Sequence, residues 1–203
     1  MKEKPLKQDL DLIFLIDRSG SMGGFEKDTI GGFNSFVERE AKKEFSTRVT
    51  TVLFDDKYEM LYERKSIDEV TPLTENEYWV RGCTALLDAI GRTINSLDKK
   101  IDNKVLFVIM TDGFENASRE YSKEQITNLI NNHNWEFIFI GADIDSYCEA
   151  QRIGIKKSRV ANYSKSKIGV EKMYTSLDCA VECMMEDTGL DDGQWKKELE
   201  EYD

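Results

Sequence analysis

Residues 10–16 form an apolar run interrupted only by Asp11, and it stops abruptly in Asp17-Arg18-Ser19-Gly20-Ser21. A run of strand length that ends in Asp, Ser and Gly reads as a buried strand delivering polar side chains to a sheet edge. Residues 105–110 are six apolar residues in a row, the most strongly buried strand signal in the chain, and they run into Thr111-Asp112-Gly113. Residues 48–54, residues 135–140 and a short stretch near Val160 complete the candidates for central strands. The turn Asp55-Asp56-Lys57 leads into 58–62, which predicts a hairpin and an antiparallel strand at the edge.

Helical spacing fills the intervals. Ile30, Phe33, Val37 and Ala41 place a helix over 25–44, with Gly31-Gly32 read as close packing of that helix on the sheet. Thr74 with Glu77 predicts one capped helical turn. Thr84 starts a helix whose inward side is Leu86, Ile90, Ile94 and Leu97. Ser122 with Gln125 opens another, facing inward through Ile126, Leu129 and Ile130. A short helix runs to about Ile153, and Val170, Met173, Leu177, Ala180, Val181 and Met184 mark a last amphipathic one. Strands alternating with helices predict an α/β fold of the Rossmann-like, doubly wound kind: a mostly parallel sheet of about six strands, one edge strand antiparallel, with helices on both faces. The expected division is an N-terminal extension over 1–9, one domain over 10–185 and an acidic tail over 186–203. That tail carries eight acidic and two basic residues and only Leu190, Trp195, Leu199 and Tyr202 to bury, so it is either frayed or docked.

Charge narrows the partner. The 203 residues include 39 acidic and 28 basic ones, a net charge of −11, which argues against a nucleic-acid or anionic-membrane surface. No apolar run approaches the ~18 residues of a membrane span, and the lysine-rich start lacks a signal-peptide pattern. Four scattered cysteines and one histidine leave structural zinc and a disulfide scaffold without support. The expectation is a reduced, cytoplasmic, soluble protein.

In doubly wound folds ligands bind at the carboxyl ends of strands where the strand order reverses. If the strands ending at Asp17 and Asp112 are neighbours there, both carboxylates face one crevice, and Thr84 arrives beside them. Oxygen donors on a tight turn suit a hard cation such as magnesium better than zinc.

Together, Asp17-x-Ser19-x-Ser21, Thr84 and Thr111-Asp112-Gly113 resemble the metal-ion-dependent adhesion site of von Willebrand factor A domains, in residue type, order and separation. The runs 111–121 and 139–143 are similar to those of small stand-alone bacterial and phage A domains. The resemblance implies that Ser19 and Ser21 ligate a cation through their hydroxyls. It further implies that Asp17 and Asp112 act directly or through water, and that Thr84 ligates in one of two states. Magnesium is the expected ion, with manganese or calcium compatible, and a coordination position stays open for an Asp or Glu of a partner protein. Gly20, Met22, Gly82, Cys83, Gly113 and Phe114 are the expected partner-binding residues. The family often has two glycines before the threonine, whereas this chain has Gly82-Cys83. Cys83 is read as a tolerated small, buried residue rather than a redox gate.

The resemblance therefore implies a metal-dependent binding module rather than an enzyme. The alternatives are a metal-dependent phosphohydrolase and a scaffold A domain with no metal-dependent binding. A phosphatase of the haloacid-dehalogenase kind needs a second Asp at the place of Ser19, so phosphoryl transfer lacks its acid–base. There is no GxxxxGK[ST] loop, no GxGxxG turn and no nucleophile elbow around Ser21. His133 reads as a surface residue near a helix end, and Cys179 with Cys183 as plain core. Asp55, Asp56, Glu186 and Asp187 read as solvated charges.

Overall fold

A computed structural model describes residues 9–142 and 145–201. Met1 to Gln8, Asp143, Ile144, Tyr202 and Asp203 lie outside them, so most of the N-terminal extension and the end of the 139–143 run are not described. Six strands form one sheet: β1 (Asp9–Asp17), β2 (Ser46–Phe54), β3 (Tyr58–Ser66), β4 (Lys104–Thr111), β5 (Glu136–Gly141) and β6 (Val160–Asn162). Their order is β3-β2-β1-β4-β5-β6, and every pairing is parallel except β2 with β3. This is the expected mixed sheet with one antiparallel edge strand.

The helices are α1 (Glu26–Glu40), α2 (Leu86–Leu97), α3 (Lys123–Asn132), α4 (Ser146–Gln151), α5 (Lys167–Met185) and α6 (Lys197–Glu200). Because successive strand residues point to opposite faces, β1 feeds two cores. Leu10, Leu12, Phe14 and Ile16 join α1 and α5, while Ile13 and Leu15 join α2 and α3. Phe14 meets Phe33 and Phe36 edge-on at 5.4 Å each, a favoured aromatic geometry. Asp11 is buried in the strand without being orphaned, since Arg64 forks onto it at 2.8 and 3.1 Å and the Asn103 amide donates at 2.8 Å. Arg64 sits in the left-handed region at φ 48° beside an irregularity in the β2–β3 register. The edge strand thus continues past the expected end at Tyr62.

Several local expectations are corrected. The first helix stops at Glu40 rather than 44. Thr74 and Glu77 bond to each other, but they close a turn and no helix follows. The capping box at Ser122 and Gln125 is present as read.

Gly32 packs helix against helix, not helix against sheet: a Cβ there would overlap the Tyr174 ring of α5 and touch Val170. Gly31 is exposed with open space around it. Gly32→Ala is therefore expected to lose about 1–3 kcal/mol by overpacking. Gly31→Ala is expected to gain up to about 1 kcal/mol from helix propensity. Denaturant midpoints of the two variants check the pair.

A second α1–α5 contact is electrostatic. Glu40 is buried, with its Oε1 2.7 Å from the Lys43 ammonium; Lys43 also reaches Glu182, and Arg39 pairs with Asp178. Burial, helped by the Asp178 carboxylate and opposed by Lys43, pushes the Glu40 pKa from 4.5 to about 7. The folded pKa lies above the unfolded one, so the folded state holds the proton more tightly. That stability is present in full below pH 4.5 and is lost as pH rises through about 7. Glu40→Gln is expected to flatten this loss, on the order of 2 kcal/mol between pH 5 and 8. Melting curves of both proteins across that range show it.

The acidic C-terminal segment docks. Leu190, Trp195 and Leu199 are fully or almost fully buried in the α1–α5 core, and the Trp195 indole donates to the Ser158 carbonyl at 2.9 Å. Lys196 buries its ammonium against the Val160 carbonyl at 2.7 Å and Glu200 at 2.6 Å.

Candidate metal centre

The strand order reverses at β1, which lies between β2 and β4. Ile16 registers with Met110, so Asp17 and the Thr111-Asp112 end of β4 emerge side by side. Both carboxylates are buried, Asp17 fully and Asp112 to 5 % exposure. The Asp17 carboxylate accepts from the Ser19 N–H at 2.6 Å and from the Thr111 hydroxyl at 2.6 Å. The tight turn this creates turns the two serines toward each other, with hydroxyl oxygens 3.0 Å apart. Ser21 Oγ then donates to Asp112 Oδ1 at 2.5 Å. The Tyr78 hydroxyl holds the Asp17 carbonyl at 2.8 Å.

Thr84 is brought to the same place by the loop after β4. Asn116 Oδ1 accepts the Thr84 N–H at 2.9 Å, and the Thr84 carbonyl accepts from the N–H groups of Asn116 and Ala117. Glu115 caps the N-terminal turn of α2 through the Leu87 N–H, and Asp88 accepts the N–H groups of Arg119, Glu120 and Tyr121. The 111–121 run is thus a strap tied to α2 along its length. It is tight beside Gly113, where a Cβ would lie 2.5 Å from Thr84 Oγ1 and 3.4 Å from Ser21 Oγ. The five expected ligand residues therefore converge.

The electrostatics of this cluster suit a cation. Burial pushes the Asp17 pKa from 3.8 to about 6; the Asp112 carboxylate adds to the rise, and the hydrogen bonds from Thr111 and Ser19 oppose it. Two desolvated carboxylates beside two hydroxyls are an oxygen-donor set with excess negative charge, which fits a hard divalent ion. A basic group already answers part of that charge: the Lys165 ammonium is 2.6 Å from Asp112 Oδ2.

A second buried cluster stands behind the turn. Arg18 is 1 % exposed; it donates to Asp55 Oδ2 at 2.9 Å and to the Glu77 carbonyl at 3.3 Å, and its guanidinium forms an ion pair with Glu59 at 2.8 Å. Arg81 reaches the same Asp55 oxygen at 2.7 Å and stacks over the Trp79 ring at 4.4 Å. Asp55, expected as a solvated turn charge, is fully buried. Burial works against its ionisation, but hydrogen bonds from Arg81, the Lys57 N–H and Arg18 outweigh that and hold its pKa below the usual carboxylate value.

The expected partner-facing residues divide. Gly20, Gly82, Cys83 and Phe114 are exposed, and Gly113 is half-buried. Met22 is a correction: it is 1 % exposed and turned inward. Cys83 is exposed too, so it does not act as a buried hydrophobe. The conformational demand in this loop falls on Gly82, at φ +66°, where a Cβ would run into Asp56. Cys179 and Cys183 are partly buried against the core, and His133 ends α3 with its ring bonded to Leu129 and Asp98. Among the described residues, no helix is long and apolar enough to cross a membrane.

Arg18, Asp55, Trp79, Arg81, Asn116 and Lys165 were not legible as site residues. Their partners lie far away in sequence, and no spacing rule links them.

The comparisons with known proteins agree with this fold. No curated protein matches the chain. Proximal thread matrix protein 1 from the mussel byssus, with a zinc-occupied MIDAS motif, is similar at 20% identity and a TM-score of 0.64 over 83% of this chain and 44% of its own. The ArnB paralog VWA2 from Sulfolobus acidocaldarius is similar at 21% identity and a TM-score of 0.62, over 85% of this chain and 45% of its own. The vWF domain of the type V pili tip protein Mfa5 from Porphyromonas gingivalis is similar at 10% identity and a TM-score of 0.62, over 85% and 96%. This chain thus spans less than half of the first two, and at these identities the likeness speaks for the fold. The sequence profile of the von Willebrand factor type A domain matches residues 11–175, and the chain belongs to that family.

Proposed function

We propose that this protein binds a partner protein through a divalent cation held by Ser19, Ser21, Thr84 and Asp112, with Asp17 behind them. The observation that carries the reading is the exposed Ser21 hydroxyl, which bridges Ser19 and the buried Asp112 at the mouth of the crevice. Asp17 already accepts from Ser19 and Thr111 with both oxygens, so its part is to orient the turn and contribute charge. Magnesium fits the hard oxygen donors, and manganese or calcium is compatible. When bound, the cation supplies an open coordination position that attracts an Asp or Glu carboxylate of the partner.

The surroundings support a protein as that partner. The exposed large hydrophobic residues among those described are Trp79, Phe114 and Ile168. Trp79 follows Tyr78, which holds the Asp17 carbonyl; Phe114 follows Gly113; Ile168 opens the helix beyond Lys165. Aromatic anchors around a charged centre are the usual make-up of a protein-binding hot spot. Gly20, Gly82, Cys83 and Gly113 leave room for close approach. Among the described residues, the crevice presents no acid–base pair suited to phosphoryl transfer, which favours binding over catalysis.

Affinity capture from host lysate in magnesium tests the proposal. Capture is expected to disappear in EDTA and with Asp17→Ala. A partner retained under both conditions contradicts it.

A further inference from the structure

The most unusual feature of the crevice is its lysine. Lys165 lies between β6 and α5, its ammonium 2.6 Å from Asp112 Oδ2 and 3.4 Å from the Ser21 carbonyl, near the Phe25 ring. Its side chain is 17% exposed, and the carboxylate it meets is fully covered. The ammonium therefore engages the free oxygen of the carboxylate whose other oxygen accepts from Ser21.

The backbone beneath this side chain is pinned. The Tyr163 N–H bonds the Gly141 carbonyl, Ser166 caps α5 through the Gly169 N–H, and the Ser164 and Ser166 hydroxyls lie 3.1 Å apart. Gly169 packs so closely on Ser164 that a Cβ would overlap its backbone. These bonds hold the loop, so any movement of the ammonium is a rotation of the Lys165 side chain.

We propose that Lys165 is a tethered cation that holds Asp112 in the metal-free protein and must leave Asp112 for a divalent ion to bind. This rests on the reading of the crevice as a metal centre. The charges explain why exchange follows. Among the described residues, the Asp17 and Asp112 carboxylates with the Lys165 ammonium sum to −1, whereas a divalent ion with the ammonium expelled brings the pair of carboxylates to zero. Keeping both would place like charges within a few ångströms in a desolvated crevice, which is unfavourable. Lys165 thus sets a threshold of metal concentration below which the site stays closed by its own side chain. Its departure from Asp112 leaves a positive charge near the crevice, where a partner's acidic residue would arrive.

Calorimetric titration of magnesium and manganese into the wild type and Lys165→Gln tests this. Removing a buried ion pair that competes with the ion is expected to tighten metal binding about tenfold. Without metal, Lys165→Gln is expected to melt below the wild type, and the added metal to raise its melting point by more. In the wild type, labelling of Lys165 by an amine-acylating reagent, mapped by mass spectrometry, is expected to rise when magnesium is added. Equal or weaker metal affinity in Lys165→Gln, or labelling unchanged by metal, overturns the role of Lys165 while leaving the metal centre standing. Binding absent from both proteins removes the metal centre and this inference with it.

Discussion

Asp17→Asn is expected to leave the metal-free protein at least as stable as the wild type and to abolish its stabilisation by magnesium. The Asp17 carboxylate is fully buried, and its ionisation is opposed by burial and by Asp112. A neutral amide of the same shape removes that opposition. It keeps an oxygen for one of the two donors, the Ser19 N–H or the Thr111 hydroxyl. The charge that attracts a cation is lost with it. Magnesium at a hundredfold excess over its dissociation constant would stabilise the wild type by about 2.7 kcal/mol, a shift the variant should lack. Thermal melts in magnesium and in EDTA read both halves. A variant that melts well below the wild type in EDTA would mean that the carboxylate serves the fold rather than the ion. An undiminished magnesium shift would mean that the ion binds elsewhere.

Arg18→Met is expected to lower stability by about 3 kcal/mol or more, with or without metal. Arg18 and Asp55 are a buried pair, and removing one partner leaves the other desolvated with less compensation. Arg81 remains on the same Asp55 oxygen, so the loss should fall short of a complete orphan. Arg81 is itself half-buried and its backbone N–H bonds the Arg18 carbonyl, which ties the loop before Thr84 to the turn after Asp17. Part of the effect should therefore appear as weaker metal binding, because Gly82 and Thr84 lose their anchor. Denaturant unfolding in EDTA isolates the stability term. A loss under about 0.5 kcal/mol, the range of ordinary surface substitutions, would show that the pair contributes little.

The strands were legible because β1 and β4 bury both faces, and their runs of apolar residues end abruptly in polar ones; that β1 and β4 are neighbours was only a condition until the sheet order gave it. The helices followed from their inward stripes, and the antiparallel edge from the turn at Asp55-Asp56-Lys57. The converging residues Asp17, Ser19, Ser21, Thr84 and Asp112 were legible because each closes or opens an element at the same sheet edge. What stayed hidden depends on contacts across the fold. Asp55 follows a strand in an acidic turn, which looks solvated until Arg18, 37 residues earlier, and Arg81 are seen to close over it. Lys165 sits in a short polar loop whose composition says nothing of Asp112. Gly32 meets Tyr174 only because α1 and α5 lie side by side on one sheet face. Met22 looked available because it sits among serines and glycines, yet the turn rolls it into the protein.

The central claim is that a cation held by these donors is completed by a carboxylate of another protein. Surface plasmon resonance of a captured partner over this protein, at increasing magnesium, tests it most directly. The predicted result is affinity that rises with magnesium to a plateau, falls away in EDTA, and is lost when one Asp or Glu of the partner is replaced by its amide. Equal affinity in magnesium and in EDTA would contradict it.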